Sequence, residues 1–247
     1  MFKISIKILC LFVCMNINNL KAQNYSGQIN YNKSLFSLSK EERMEGTMYK
    51  QLKSLDLDFS SLNYILKFNN KESIFSCEER MDFNDDAVTR LLLTLGSGKG
   101  TTYVNIQTNK KIHQKEAFGG QFLVTSNISD VKWKLHNETK KIGNYSCYKA
   151  TTIYVVINSK GTFNHSVEAW YTSQIPIGFG PIGYGGLPGL IVELSVQNIK
   201  YSISKVVLNP KKQFTIKKPN KGKLVTEEEF NVIAKEAMGH FKSRISN

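Results

Sequence analysis

Long apolar runs are scarce in this 247-residue chain. The longest, Ile8 to Met15 (ILCLFVCM), falls well short of the roughly 20 residues a membrane helix needs, so a chain that crosses a bilayer repeatedly on helices is excluded. Tryptophan, histidine, cysteine and proline are sparse too, at 2, 4, 4 and 5 copies. The four histidines are dispersed, with none four residues from another or beside a cysteine, and that spacing offers no zinc site. Acid is short relative to base: 20 Asp and Glu face 33 Lys and Arg, a formal net charge of +13. What is present is ample core material, with 41% apolar and 21% charged residues, which removes the disorder signature.

The start of the chain reads as an address. Lys3 and Lys7 precede the short apolar run, and a polar stretch then ends at Leu20-Lys21-Ala22-Gln23, the order of a secretory signal peptide covering residues 1–22 with cleavage near Ala22. A secreted product, periplasmic or outer-membrane-associated, is expected. The alternative is a buried first element. Cys10 and Cys14 lie inside the apolar run without small residues before them, so no lipid anchor is expected. Without the leader, 30 basic residues face 20 acidic ones, a net +10 that favours anionic surfaces, while the address disfavours nucleic acid. The densest basic stretch, Lys205 to Lys223, reads most simply as a solvated edge. Only Cys77 and Cys147 remain, and they are a disulfide candidate. A loop of about 70 residues closed in this way would contribute roughly 4 kcal/mol on the chain-entropy model. Two buried thiols, or one reactive thiol, are the other readings.

Residues 23–247 read as a single domain, mainly β. Gln28–Asn32, Ser61–Phe68 and Glu72–Cys77 alternate as half-buried strands, and short strands with short turns follow at Thr101–Gln107, Lys111–Lys115, Gln121–Thr125, Val131–His136, Asn144–Ile157, Val167–Tyr171, Leu190–Val196 and Tyr201–Leu208. This pattern predicts one curved antiparallel sheet or half-barrel of about ten strands rather than strand-helix units. Lys40 to Leu55 predicts an N-terminal helical segment interrupted by Gly46. Thr226 and Glu229 form a capping box that opens a C-terminal amphipathic helix, with Phe230, Ile233, Ala234, Ala237, Met238 and Phe241 as its stripe. Residues 78–100 predict a flexible loop. Its acids (Glu78, Glu79, Asp82, Asp85, Asp86) lack calcium-loop spacing, and the glycines before Gly100 lack a phosphate loop's first glycine, because residue 93 is leucine.

Two segments hold residues that sheets use sparingly. One runs from Trp133 through Lys140-Lys141-Ile142-Gly143 to Tyr145, Cys147 and Lys149. The other runs from Trp170 and Tyr171 through Phe179, Pro181 and Tyr184 to Gly186, Leu187, Pro188 and Gly189. The glycines and prolines between Pro176 and Gly189 require a structured loop, either a seat for a ligand or partner or a corner that lets the sheet reverse. Lys149, sharing a strand face with Tyr145, is a candidate for an anionic headgroup or a lysine that reaches to the rim.

The run GGLPGLIVEL at 185–194, with AWYT at 169–172 and KKIGNYSCYKAT at 140–151, resembles the GLPGLI family of secreted bacterial proteins. The resemblance extends from about Ile29 to the C-terminal helix. It implies an exported Gram-negative envelope protein, without an established activity. A second, architectural similarity is to periplasmic lipoprotein carriers, whose curved half-barrel would hold an acyl chain or greasy peptide. The expected role is therefore a non-enzymatic binding or carrier module, monomeric and free of cofactor and metal. Its partner would be a hydrophobic or lipid-like ligand or an outer-membrane protein. The competing readings are a hydrolase with Cys147 as nucleophile and His113, His136 or His165 as base, and an interaction accessory to an outer-membrane transporter.

Overall fold

The computed structural model describes residues 25–35, 62–78, 100–158, 161–196, 199–211 and 214–245. The expected signal peptide, the N-terminal helical segment and residues 79–99 of the expected loop lie outside the described residues. Among the described residues twelve strands form one sheet: β1 (Gly27–Leu35), β2 (Asn63–Phe68), β3 (Glu72–Glu78), β4 (Gly100–Asn105), β5 (Lys110–Ala117), β6 (Gly120–Asn127), β7 (Lys134–Ile142), β8 (Tyr145–Asn158), β9 (Gly161–Thr172), β10 (Leu190–Val196), β11 (Ile199–Leu208) and β12 (Lys223–Thr226). Their order in space is β12-β6-β5-β4-β3-β2-β1-β11-β10-β9-β8-β7.

Two expectations need correction. The sheet has twelve strands rather than about ten, and it is mixed rather than wholly antiparallel, because β12 runs parallel to β6. The cause lies in residues 214–222, which carry the chain across the back of the sheet. Lys67 lies 5.7 Å from the Phe214 ring, Ile216 packs on Tyr103, Ile112 and Leu123, and Gln114 Nε2 donates to the Lys221 carbonyl at 2.8 Å. The chain then reaches the edge already pointing along β6. Four residues, Lys223–Thr226, are too few to show an alternating pattern.

The sheet curls without closing. From Asn127 at the end of β6 to Lys134 at the start of β7 the chain spans at most about 25 Å, yet the two strands are ten places apart in the sheet, about 48 Å if it were flat. The inner face carries Ile29, Tyr31, Tyr64, Leu66, Phe68, Phe75, Leu194 and Tyr201, all buried. Edge-to-face packing of Tyr64 on Tyr201, with centroids 5.5 Å apart, ties β2 to β11 across the intervening β1.

The C-terminal helix α1 (Glu227–Ile245) begins as its sequence predicts. Thr226 N–H donates to Glu229 Oε2 at 2.8 Å and Glu229 N–H donates to Thr226 Oγ1 at 3.2 Å, both halves of a capping box. Phe230 then anchors the helix edge-on against Phe122 at 5.3 Å, with Ile233 and Ala234 alongside. Met238 and Phe241 lie outside the residues whose side chains are described.

Candidate functional site

The segment between β9 and β10 is a packed insert on the inner face. Ile175, Ile177, Phe179 and Leu187 are buried in the main core, and Pro181 opens a buried 3-10 turn at Pro181–Gly183. Internal bonds give it a fixed shape: Gly186 N–H donates to the Gly178 carbonyl, Leu190 N–H to Ile175 and Ile191 N–H to Phe179, each at 3.0 Å. Trp133 Nε1 donates to the Gly185 carbonyl at 2.8 Å, and its ring lies 5.9 Å from Tyr184. Gly183 rests on β4 and β5, where a Cβ would stand 2.5 Å from Thr102 Cγ2 and 2.8 Å from Lys111 Cδ. Gly186, at φ +81°, and Pro188 are exposed. These contacts hold most of the loop against the sheet.

A second group of expected site residues faces the opposite way. Lys149 pairs with Trp170 across β8 and β9, and both point outward. The Trp170 ring has Lys140 Nζ 4.2 Å and Lys149 Nζ 6.0 Å from its centroid, and its Nε1 donates to Glu168 at 2.8 Å. Lys140 meets Glu193 at 2.6 Å, while Lys149 meets Glu138 at 3.0 Å and Glu168 at 3.3 Å. The hydrogen bond that the Lys149 ammonium donates to Glu138 holds it above its ordinary range. Lys149 is thus engaged by carboxylates. Tyr171 faces inward against Tyr148, 5.9 Å away, and half-buried Tyr145 packs on the core.

Cys77 and Cys147 are not joined. Cys147 is fully buried on β8 beside Lys140 and Glu193, whereas Cys77 is on β3 near Lys33, Tyr64 and Tyr201, with five strands between them in the sheet. Burial pushes the Cys147 thiol up, and the thiol donates to the Tyr145 carbonyl at 3.5 Å. His136 is committed to Thr151 at 2.7 Å, and His165 pairs with Tyr154 in the β8–β9 ladder. Neither arrangement supplies Cys147 with a base.

The inner face has one further feature, a half-open cavity of about 420 Å³. Its floor is Tyr64, Phe75 and Tyr201; one wall is β5, with Lys111, His113 and Lys115 at alternate positions; α1 covers it with Glu227 and Phe230; and Tyr154, Ile182 and Tyr184 complete the rim. Of the expected ligand-binding residues, Tyr184 alone lines it. Burial raises the phenols of Tyr64, Tyr184 and Tyr201, which stay neutral. Burial, then Lys115 and Lys111, pulls His113 down to about 4. Behind the floor, buried Lys33 lies 5.7 Å and 5.6 Å from the Tyr64 and Tyr201 rings, and burial brings its ammonium down to about 8. The sequence signal for this site was the alternation Lys-Ile-His-Gln-Lys at 111–115, which puts three basic side chains on one strand face. Among the described residues no group of three His, Cys, Asp or Glu could hold a metal.

A family model described as a protein of unknown function (Porph_ging) matches residues 133–166 and 159–193. No curated protein matches the chain. Two solved structures of PNGF-II, in space groups C2 and P21, are similar to it, with TM-scores of 0.49 and 0.48 at 17% and 15% identity, covering 87% and 85% of this chain. The chain spans about a third of the length of those structures, 33% in each. That match lies within residues 133–193, about a quarter of the chain, from Trp133 through the outward ion pairs to the Gly186–Ile191 run, and it agrees with the GLPGLI resemblance, a family whose function is unknown.

Proposed function

We propose that this protein is a non-enzymatic binding or carrier module of the Gram-negative envelope, exported by its leader, with the inner-face cavity as the ligand seat. The observation that carries the reading is the cavity itself. A curled, unclosed sheet would serve as the half-barrel of a carrier, with apolar and tyrosine side chains converging on a space that α1 covers. At about 420 Å³ the space equals about fourteen waters, so it suits one ring system or a single short chain. The loop between β9 and β10 borders the seat with Ile182 and one phenol, Tyr184.

Native mass spectrometry of the protein purified from a Gram-negative periplasm, before and after organic extraction, tests this. A small-molecule mass near one equivalent that disappears on extraction is the expected result. A bare protein mass in both spectra, with no hydrophobic probe taken up, would sink it. An envelope-protein partner is favoured by a different observation: the far half of the β8–β9 hairpin exposes Ile153, Val155 and Phe163. Photocrosslinking from position 155 in cells reads that contact separately.

A further inference from the structure

We infer that the cavity is built for an anionic ligand, an aromatic or short aliphatic body ending in a carboxylate, sulfonate or phosphate, whose charged end lies along Lys111, His113 and Lys115. The inference deepens the binding reading and rests on it. Strand geometry puts these side chains on the inner face, opposite Ser126, Val124 and Phe122 of β6 in register. All three line the cavity. Among the described residues neither lysine is in an ion pair, in contrast to Lys140, Lys149 and Lys200 on the outer face. Lys115 instead has its ammonium 3.6 Å from the Phe230 ring centroid.

Two carboxylates also face the space, and each has other work. Asp130 accepts the Asn127 N–H at 2.9 Å in the turn after β6, and Glu227 occupies the first turn of α1, where the helix dipole stabilises it. Cys77 from β3 and the phenols of Tyr64, Tyr154, Tyr184 and Tyr201 are the remaining titratable groups around His113. Burial depresses Lys115 although Glu227 acts against it, and His113 is held neutral by burial and by both lysines. An anion placed here relieves that cationic strain and gains charge-assisted hydrogen bonds. The apolar lining residues Ile182, Val196 and Ile199 take the body.

Two probes with the same aromatic body separate the parts of this claim. 8-Anilinonaphthalene-1-sulfonate carries the anion and N-phenyl-1-naphthylamine lacks it. The full chain should bind the sulfonate at least about tenfold more tightly, the size expected of charged hydrogen bonds in a partly buried site. That preference should collapse in Lys111→Gln/Lys115→Gln and persist in Lys149→Gln, whose lysine is on the outer face. On the unaltered protein, NMR titration should find the His113 imidazole moving up from about 4 when the sulfonate is bound and staying there with the neutral probe. Equal affinity for both probes, or an unmoved His113, overturns the anion assignment and leaves the cavity reading standing. Binding of neither probe overturns both.

Discussion

Two glycines of the GLPGLI run differ sharply in what a methyl group would meet. At Gly189 a Cβ would stand 2.1 Å from the Thr172 carbonyl oxygen and 2.6 Å from its carbon. Both are backbone atoms, at the point where Leu190 pairs with Thr172 to start the β9–β10 ladder. No rotamer change relieves that overlap, so the strands must part where Leu190 and Ile191 are fully buried. A buried backbone group left without its partner costs about 1–3 kcal/mol, and overpacking costs about 1–3 kcal/mol more, so Gly189→Ala should destabilise by upwards of about 3 kcal/mol. Gly186, at φ +81°, has Ile128 Cγ2 at 3.7 Å as its nearest neighbour, an ordinary contact. There the left-handed backbone costs about 1–2 kcal/mol, less about 0.5 kcal/mol recovered from the unfolded chain. Urea unfolding followed by tryptophan fluorescence reads both. With a slope of about 3 kcal/mol per molar, Gly189→Ala should lower the midpoint by about 1 M or more and Gly186→Ala by less than half that. Equal losses, or a Gly189→Ala midpoint near that of the parent, would refute the close-approach account of the loop.

Three further outcomes follow from the same geometry. Lys140→Met removes the 2.6 Å contact with Glu193 and the cation over Trp170, and should cost about 1 kcal/mol at low salt and less in 1 M NaCl; a salt-independent loss would mean that the lysine stem, not its charge, matters. A small thiol reagent followed by peptide mass mapping should label Cys77 in the native protein and Cys147 only after unfolding, and a native mass two units low would instead reveal a bond between them. His113 titrates near 4 when folded against about 6.5 when unfolded, so the unfolded chain binds more protons between those values. Its contribution is therefore complete above pH 6.5 and lost as pH falls, by about 2 kcal/mol between pH 7 and 5. His113→Gln should flatten that part of the profile, and an unchanged slope would show that His113 is not held neutral.

The legible parts of the fold were those in which local chemistry and tertiary context agree. The shared face of Tyr64, Leu66 and Phe68, the short strand at 190–196 and the reciprocal Thr226–Glu229 cap depend on neighbours within a few residues, and they stand as read. The parallel pairing of β12 was not legible, because Lys223–Thr226 joins the sheet through where residues 214–222 deliver it. Nor was the curl, which the short link between Asn127 and Lys134 reveals only once the strand order is known.

The residues that stand out in the sequence and those that line the cavity differ for a related reason. Glycine, proline and tryptophan stand out in a sequence because they are rare and conformationally special, yet here those properties serve close packing: Gly189 against Thr172, Trp133 bonding to Gly185, Trp170 under Lys140. The cavity is assembled instead from ordinary residues on β2, β5, β8, β11 and α1, distant in sequence and brought together by the curl of the sheet. Period-two spacing placed Lys111, His113 and Lys115 on one face. Which face that was depended on Tyr103, Ile112 and Leu123 finding cover under Ile216, contacts between segments far apart in the chain. A cation row beneath a helix carries no local signature that distinguishes it from a solvated strand edge, and the difference between the two is made entirely by what α1 and the loop exclude from above it.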